Sequence, residues 1–83
     1  MQYLLMCRSL TYAQRGARLL ERAGITATVS RAPKSVSTHG CAYSIVVSAQ
    51  HKNQAVRLLK EGELSPERVL LRQADGTIQE VEE

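Results

Sequence analysis

Eighty-three residues, 43% of them apolar and 23% charged, suit one small folded domain over residues 1–83 and exclude a disordered chain. A net charge of +3 permits attraction to anions without requiring it, and two cysteines 34 positions apart do not make the disulfide framework of a small secreted protein. No run approaches the roughly 20 apolar residues that span a bilayer, and residues 1–7 lack a basic leader and a long apolar stretch, so a cytoplasmic protein without membrane contact is expected.

In chain order, residues 2–7 form a short apolar strand. A helix follows over residues 11–23, with Ala13, Ala17, Leu20 and Ala23 at helical spacing on one face and Gly16 beside them. Arg15, Arg18, Glu21 and Arg22 take the outer side. Ser9 or Thr11 can cap its start, and Gly24 supplies a left-handed stop. Residues 25–31 alternate well enough for a second strand. After a loop over residues 32–40, β-branched residues mark a strand at 42–47, then a helix at 50–61 ending at Gly62, then a strand at 67–72. In the tail, Asp75-Gly76 is a hairpin signal before a short extra strand, so the core is expected at 2–72 and a C-terminal hairpin or tail at 73–83.

The two halves repeat one order. Arg18-Leu19-Leu20-Glu21 answers Arg57-Leu58-Leu59-Lys60, and Tyr3 answers Tyr43, at offsets of 39 and 40 residues. A βαβ unit repeated at that spacing predicts an α+β fold, the ferredoxin-like βαββαβ sandwich, with two helices on one face of an antiparallel sheet and an added C-terminal strand.

That topology carries a chemical consequence. The first and third strands are central neighbours running in opposite directions, so the end of one and the start of the other share a rim. Cys7 ends the first and Cys41 begins the third. The first helix starts at the same rim, where its unpaired N–H groups and dipole favour negative charge. Arg8, Arg31, Lys34 and His39 come from segments at that edge, beside Gly40. Helix N-termini and neighbouring cations are what lower a thiol pKa, so an electropositive, thiol-bearing rim is expected. The structural reading stands beside this one, since cysteine often serves as a small buried hydrophobe. It is the heavier reading for Cys7, which lies inside an apolar strand. His51 opens the second helix at the opposite edge and is expected to stay outside the site.

Several chemistries lack their residues. There is no Cys-x-x-Cys for a zinc site or a thioredoxin-type dithiol. A cysteine phosphatase needs an arginine six residues after its nucleophile, where this chain has Ala13 and Val47. Glycine-rich phosphate loops and paired catalytic carboxylates are absent as well. An RNA-recognition module shares the topology and would stack bases on Tyr3 and Tyr43, but its flanking aromatic and glycine pattern is missing. The stripe Arg15, Arg18, Arg22 is read first as a solvated face, so nucleic acid is not an expected partner.

With Tyr3-Leu4-Leu5, the segment Ala17-Arg18-Leu19-Leu20-Glu21-Arg22-Ala23-Gly24-Ile25, and the loop running from Pro33 through Ser37 to Gly40-Cys41, the chain resembles the selenium/sulfur carrier-like family of small bacterial proteins. The resemblance covers about residues 2–72. The family's cysteine falls on Cys41 and its preceding proline on Pro33; the glycine that follows the family's cysteine is Ala42 here. The resemblance implies that the Cys41 thiolate holds sulfur or selenium as a persulfide or selenosulfide, with Cys7 as a second thiol. It also implies donor and acceptor proteins as partners, and a carrier rather than an enzyme, with no cofactor.

Two other classes remain open on the residues. One is an interaction module that forms a homodimer through its sheet, in which Cys41 is buried and inert. The other is a soft-metal binder using Cys7 and Cys41, with His39 as a third ligand, for Cu(I) or zinc.

Overall fold

Short apolar runs in the strand segments and 3.6-residue periodicity between them lead to a five-stranded sheet with two helices. The computed structural model describes residues 1–31 and 43–81. The strands are β1 Gln2–Cys7, β2 Thr28–Arg31, β3 Tyr43–Ser48, β4 Arg68–Arg72 and β5 Ile78–Val81, and the helices are α1 Leu10–Arg22 and α2 Lys52–Glu61. Sheet order is β2-β3-β1-β4-β5, with every neighbouring pair antiparallel. The first four strands have the order of the ferredoxin-like sandwich, and β5 adds an edge strand beside β4, as the tail predicts. No helix among the described residues is long and apolar enough to cross a membrane.

Register sorts the side chains into two faces. Val29, Ile45, Leu5, Val69 and Val81 form one rung across all five strands. Leu5, Ile45 and Val69 on that rung join Cys7 and Val47 in the core beneath the helices, which contribute Ala13, Ala17, Leu20, Ala55, Val56 and Leu59. Each Leu, Ile or Val fully buried there contributes about 1.5–3 kcal/mol relative to exposure. Gly16 permits the close approach of α1: a Cβ at that position would lie 2.6 Å from Ile45 Cδ1 and 3.0 Å from Leu59 Cδ2. The opposite face carries Leu4, Met6 and Leu70, each no more than 1% exposed, with Val46 and Ile78 packed against them. The apolar centre of that face is therefore already out of water within one chain.

Local signals explain the element ends, with some shifts from expectation. Ser9 caps α1, its Oγ accepting from the Tyr12 N–H at 3.3 Å, so the helix begins one residue before Thr11. At the other end Gly24, at φ +84°, completes a Schellman motif: its N–H donates to the Glu21 carbonyl, and that of Ile25 to the Leu20 carbonyl, each at 3.0 Å. That use of Ile25 as a buried cap residue delays β2, which pairs only from Thr28. A 3-10 turn, Ala49–His51, precedes α2. The α2 stop repeats the Schellman geometry, with Glu63 rather than a glycine in the left-handed position, at φ 61°. The β4–β5 hairpin closes through Gln73 and Thr77, and Asp75 Oδ1 accepts the Thr77 N–H at 2.9 Å.

Candidate functional site at the Cys7 rim

Cys7 is the last residue of β1 and lies directly opposite Tyr43, the first of β3, which in turn pairs with Arg31, the last of β2. Paired residues in a sheet point to the same side, so Arg31, Tyr43 and Cys7 make one rung on the helix-packed face. Cys7 is only 4% exposed, and its Sγ–H donates to the Leu5 carbonyl at 3.4 Å. It behaves there as a small core residue at the end of the rung. Tyr43 is half-buried against the same core, and the Arg31 guanidinium stands 6.0 Å from the centre of its ring.

The start of α1 closes the rim from the helix side. Ser9, its cap, comes two residues after Cys7, and the first turn contains no acidic residue to offset the positive end of the dipole. Arg8 holds its guanidinium 5.0 Å from the ring centre of Tyr12, on the first turn of α1. Its Nε is 3.7 Å from Glu67 Oε1, in a pair exposed enough to be worth little energetically. Glu67 is tied to the rim by its own backbone, donating to the Met6 carbonyl at 2.8 Å.

Of the residues expected at this edge, Cys7, Arg8 and Arg31 are brought together at one end of the sheet. Lys34, His39, Gly40 and Cys41 lie outside the described residues. Tyr12, Tyr43 and Glu67 are rim members that sequence reasoning did not assign. For Glu67 a signal existed, since it immediately precedes a strand that has to begin at this same end.

His51 sits at the opposite rim as expected, its Nδ1 3.0 Å from Ser48 Oγ. Among the described residues, no three His, Cys, Asp or Glu side chains gather as metal ligands; His39 and Cys41 of the soft-metal reading fall outside them. The two tyrosines of the RNA reading are both on the helix-packed face, where Tyr3 and Tyr43 lie against the core and Lys52 Nζ stands 5.6 Å from the Tyr3 ring. Bases would have to stack on the other face, which carries Leu4, Met6 and Leu70 at its centre.

Searches of curated proteins and of solved structures find no significant match. A family model does match, over residues 2–71, and its description is "Putative Se/S carrier protein-like". A match over most of the chain, on a ferredoxin-like sheet whose two central strands meet at a cysteine-bearing rim, establishes that this protein belongs to the Se/S carrier-like family.

Proposed function

We propose that the protein carries sulfur or selenium on Cys41, passing it between a donor and an acceptor protein without catalytic turnover. The observation that carries this reading is the rung Arg31–Tyr43–Cys7. Cys41 precedes Tyr43, the middle residue of that rung, by two positions in the sequence. Arg8, Arg31 and the start of α1 supply positive potential at the same end of the sheet, and Lys34, His39 and Gly40 adjoin Cys41 in sequence. Such surroundings favour a thiolate, which is the reactive form.

The chemistry is an exchange that needs no outside oxidant. The Cys41 thiolate attacks the terminal sulfur of a donor persulfide, forming a new S–S bond as the donor's own S–S bond breaks. The donor thiolate leaves with the electron pair. With a donor that carries selenium on its thiol, attack at selenium gives the selenosulfide in the same way. Delivery to an acceptor nucleophile reverses the roles. Cys7, buried opposite Tyr43, is the second thiol of the rim, in a sheltering rather than a loading role.

The test is intact-mass analysis of the reduced protein after incubation with a small-molecule persulfide donor, run beside Cys41→Ser and Cys7→Ala. A gain of one sulfur atom in the wild type and in Cys7→Ala, absent from Cys41→Ser, supports the reading. A folded wild type that gains no sulfur, or a gain that survives in Cys41→Ser, refutes it.

A further inference from the structure

The positive charge of this protein is not spread over it. The two helices contain six Lys and Arg residues against two acids, Glu21 and Glu61, whereas the rest of the chain has five cations against six acids. The whole positive excess therefore sits in the helix layer. The ion pairs Arg8–Glu67 and Arg68–Glu80 involve no helical residue. Arg15, Arg18 and Arg22 follow one another at i, i+3 and i+7 on the exposed side of α1, and like charges at such spacing repel by a few tenths of a kcal/mol per pair.

This stripe borders a groove. Arg15, Arg18 and Arg22 line it together with Leu19, Leu64 and Gly62, and its volume is about 250 Å³. Gly62 shapes the floor, because a Cβ there would lie 2.9 Å from Leu19 Cδ2. The groove is smaller than the roughly 300–1,000 Å³ of a small-molecule pocket, and it is open and apolar at its base. No aromatic residue lines it, although stacking platforms are what unspecific single-stranded nucleic-acid binders use.

We propose that this groove docks an acidic, leucine-bearing helical segment of a protein partner. From i to i+7 an α-helix rises about 10 Å, so carboxylates at i, i+3 and i+7 of a helix laid alongside α1 repeat at the spacing of the three guanidinium groups. Arginine forks suit carboxylates in paired hydrogen bonds, and leucines from the same helix cover Leu19 and Leu64. The surface is independent of the thiol reading and stands or falls without it.

The test uses the full chain, labelled with nitrogen-15, and a synthetic helical peptide with Glu at i, i+3 and i+7 and leucines between. Oligo-glutamate and single-stranded oligouridine of equal charge serve as competitors. The expected result is amide shifts confined to the outer side of α1 and to Gly62 and Leu64, weakening with salt. Arg18→Glu, at an exposed position that leaves the fold intact, is expected to lower the peptide affinity about tenfold or more. Shifts elsewhere, oligo-glutamate or oligouridine binding as tightly as the peptide, or an unchanged affinity in folded Arg18→Glu would overturn it.

Discussion

The two helices end in the same Schellman geometry with different residues at the left-handed position, and that difference can be turned into a test. Gly24 ends α1 at φ +84°, and Glu63 ends α2 at φ 61°. A side chain in the left-handed region costs about 1–2 kcal/mol, because its Cβ crowds the following carbonyl. Glycine avoids that cost but gives up about 0.5–1 kcal/mol in chain entropy on folding. Glu63 is exposed, its side chain makes no ion pair or hydrogen bond among the described residues, and its N–H donation to the Lys60 carbonyl survives substitution. Glu63→Gly is therefore expected to stabilise the fold by about 0.5–1 kcal/mol. In a domain this size that raises Tm by about 2–8 °C. Gly24→Ala is its mirror: nothing lies within 4 Å of a Cβ there, so the backbone alone sets the loss, also about 0.5–1 kcal/mol. Urea titrations followed by circular dichroism measure both, and the slopes should match the wild type. A lower or unchanged midpoint for Glu63→Gly would refute the account of these helix stops.

Three further outcomes follow from the packing. Leu5→Ala, at a residue 0% exposed between Ile45 and Val69, should cost about 2–5 kcal/mol by urea titration. Ser9→Ala removes the cap that receives the Tyr12 N–H and should cost about 1 kcal/mol, with Ser9→Asp restoring it. The N–H of Thr77, and then its side chain, hold the Asp75 carboxyl below its usual value of 3.8. The stabilisation is thus complete above 3.8 and is lost as pH falls through the lower folded value. In acid titrations the wild type should lose stability relative to Asp75→Asn in that window, and parallel curves would show that the turn contributes no pH dependence.

What was legible in the sequence depended on the range of the interaction involved. Strand and helix identities came from local periodicity, and the order of the sheet from the repeated unit, because a βαβ repeat has few ways to close. Ile25 misled because an apolar residue after a helix reads equally well as a strand start and as the buried cap of a Schellman motif. The shared rim of Cys7 and Arg31 followed from topology. The face on which each side chain points did not, since a shift of one residue exchanges the faces. That is why the helix-side position of Tyr3 and Tyr43 appears only with the register, whereas the burial of Cys7 is the expectation for a cysteine inside an apolar strand. Glu67 reaches Arg8 across 59 positions of sequence, a tertiary meeting with no local trace.

The two faces of the sheet limit where this fold can work. The helix side is filled by Leu5, Ile45, Val69 and the helices' own apolar residues, and the other side buries Leu4, Met6 and Leu70 at its centre. A ligand laid on either face would have to displace packed side chains, each costing about 1.5–3 kcal/mol to expose. The rim and the outer helix layer bear no such cost, and they hold different resources. The rim has Cys7, Arg8, Arg31 and the uncompensated start of α1; the helix layer has the excess positive charge. A carrier has to meet both a donor and an acceptor while keeping its cargo atom within reach. Docking charge placed on the helices lets partners be held without covering the rim where transfer is proposed. If so, Arg18→Glu should weaken association while leaving the loading of sulfur from a small-molecule persulfide unchanged. Equal loss of both would mean that docking and chemistry share one surface.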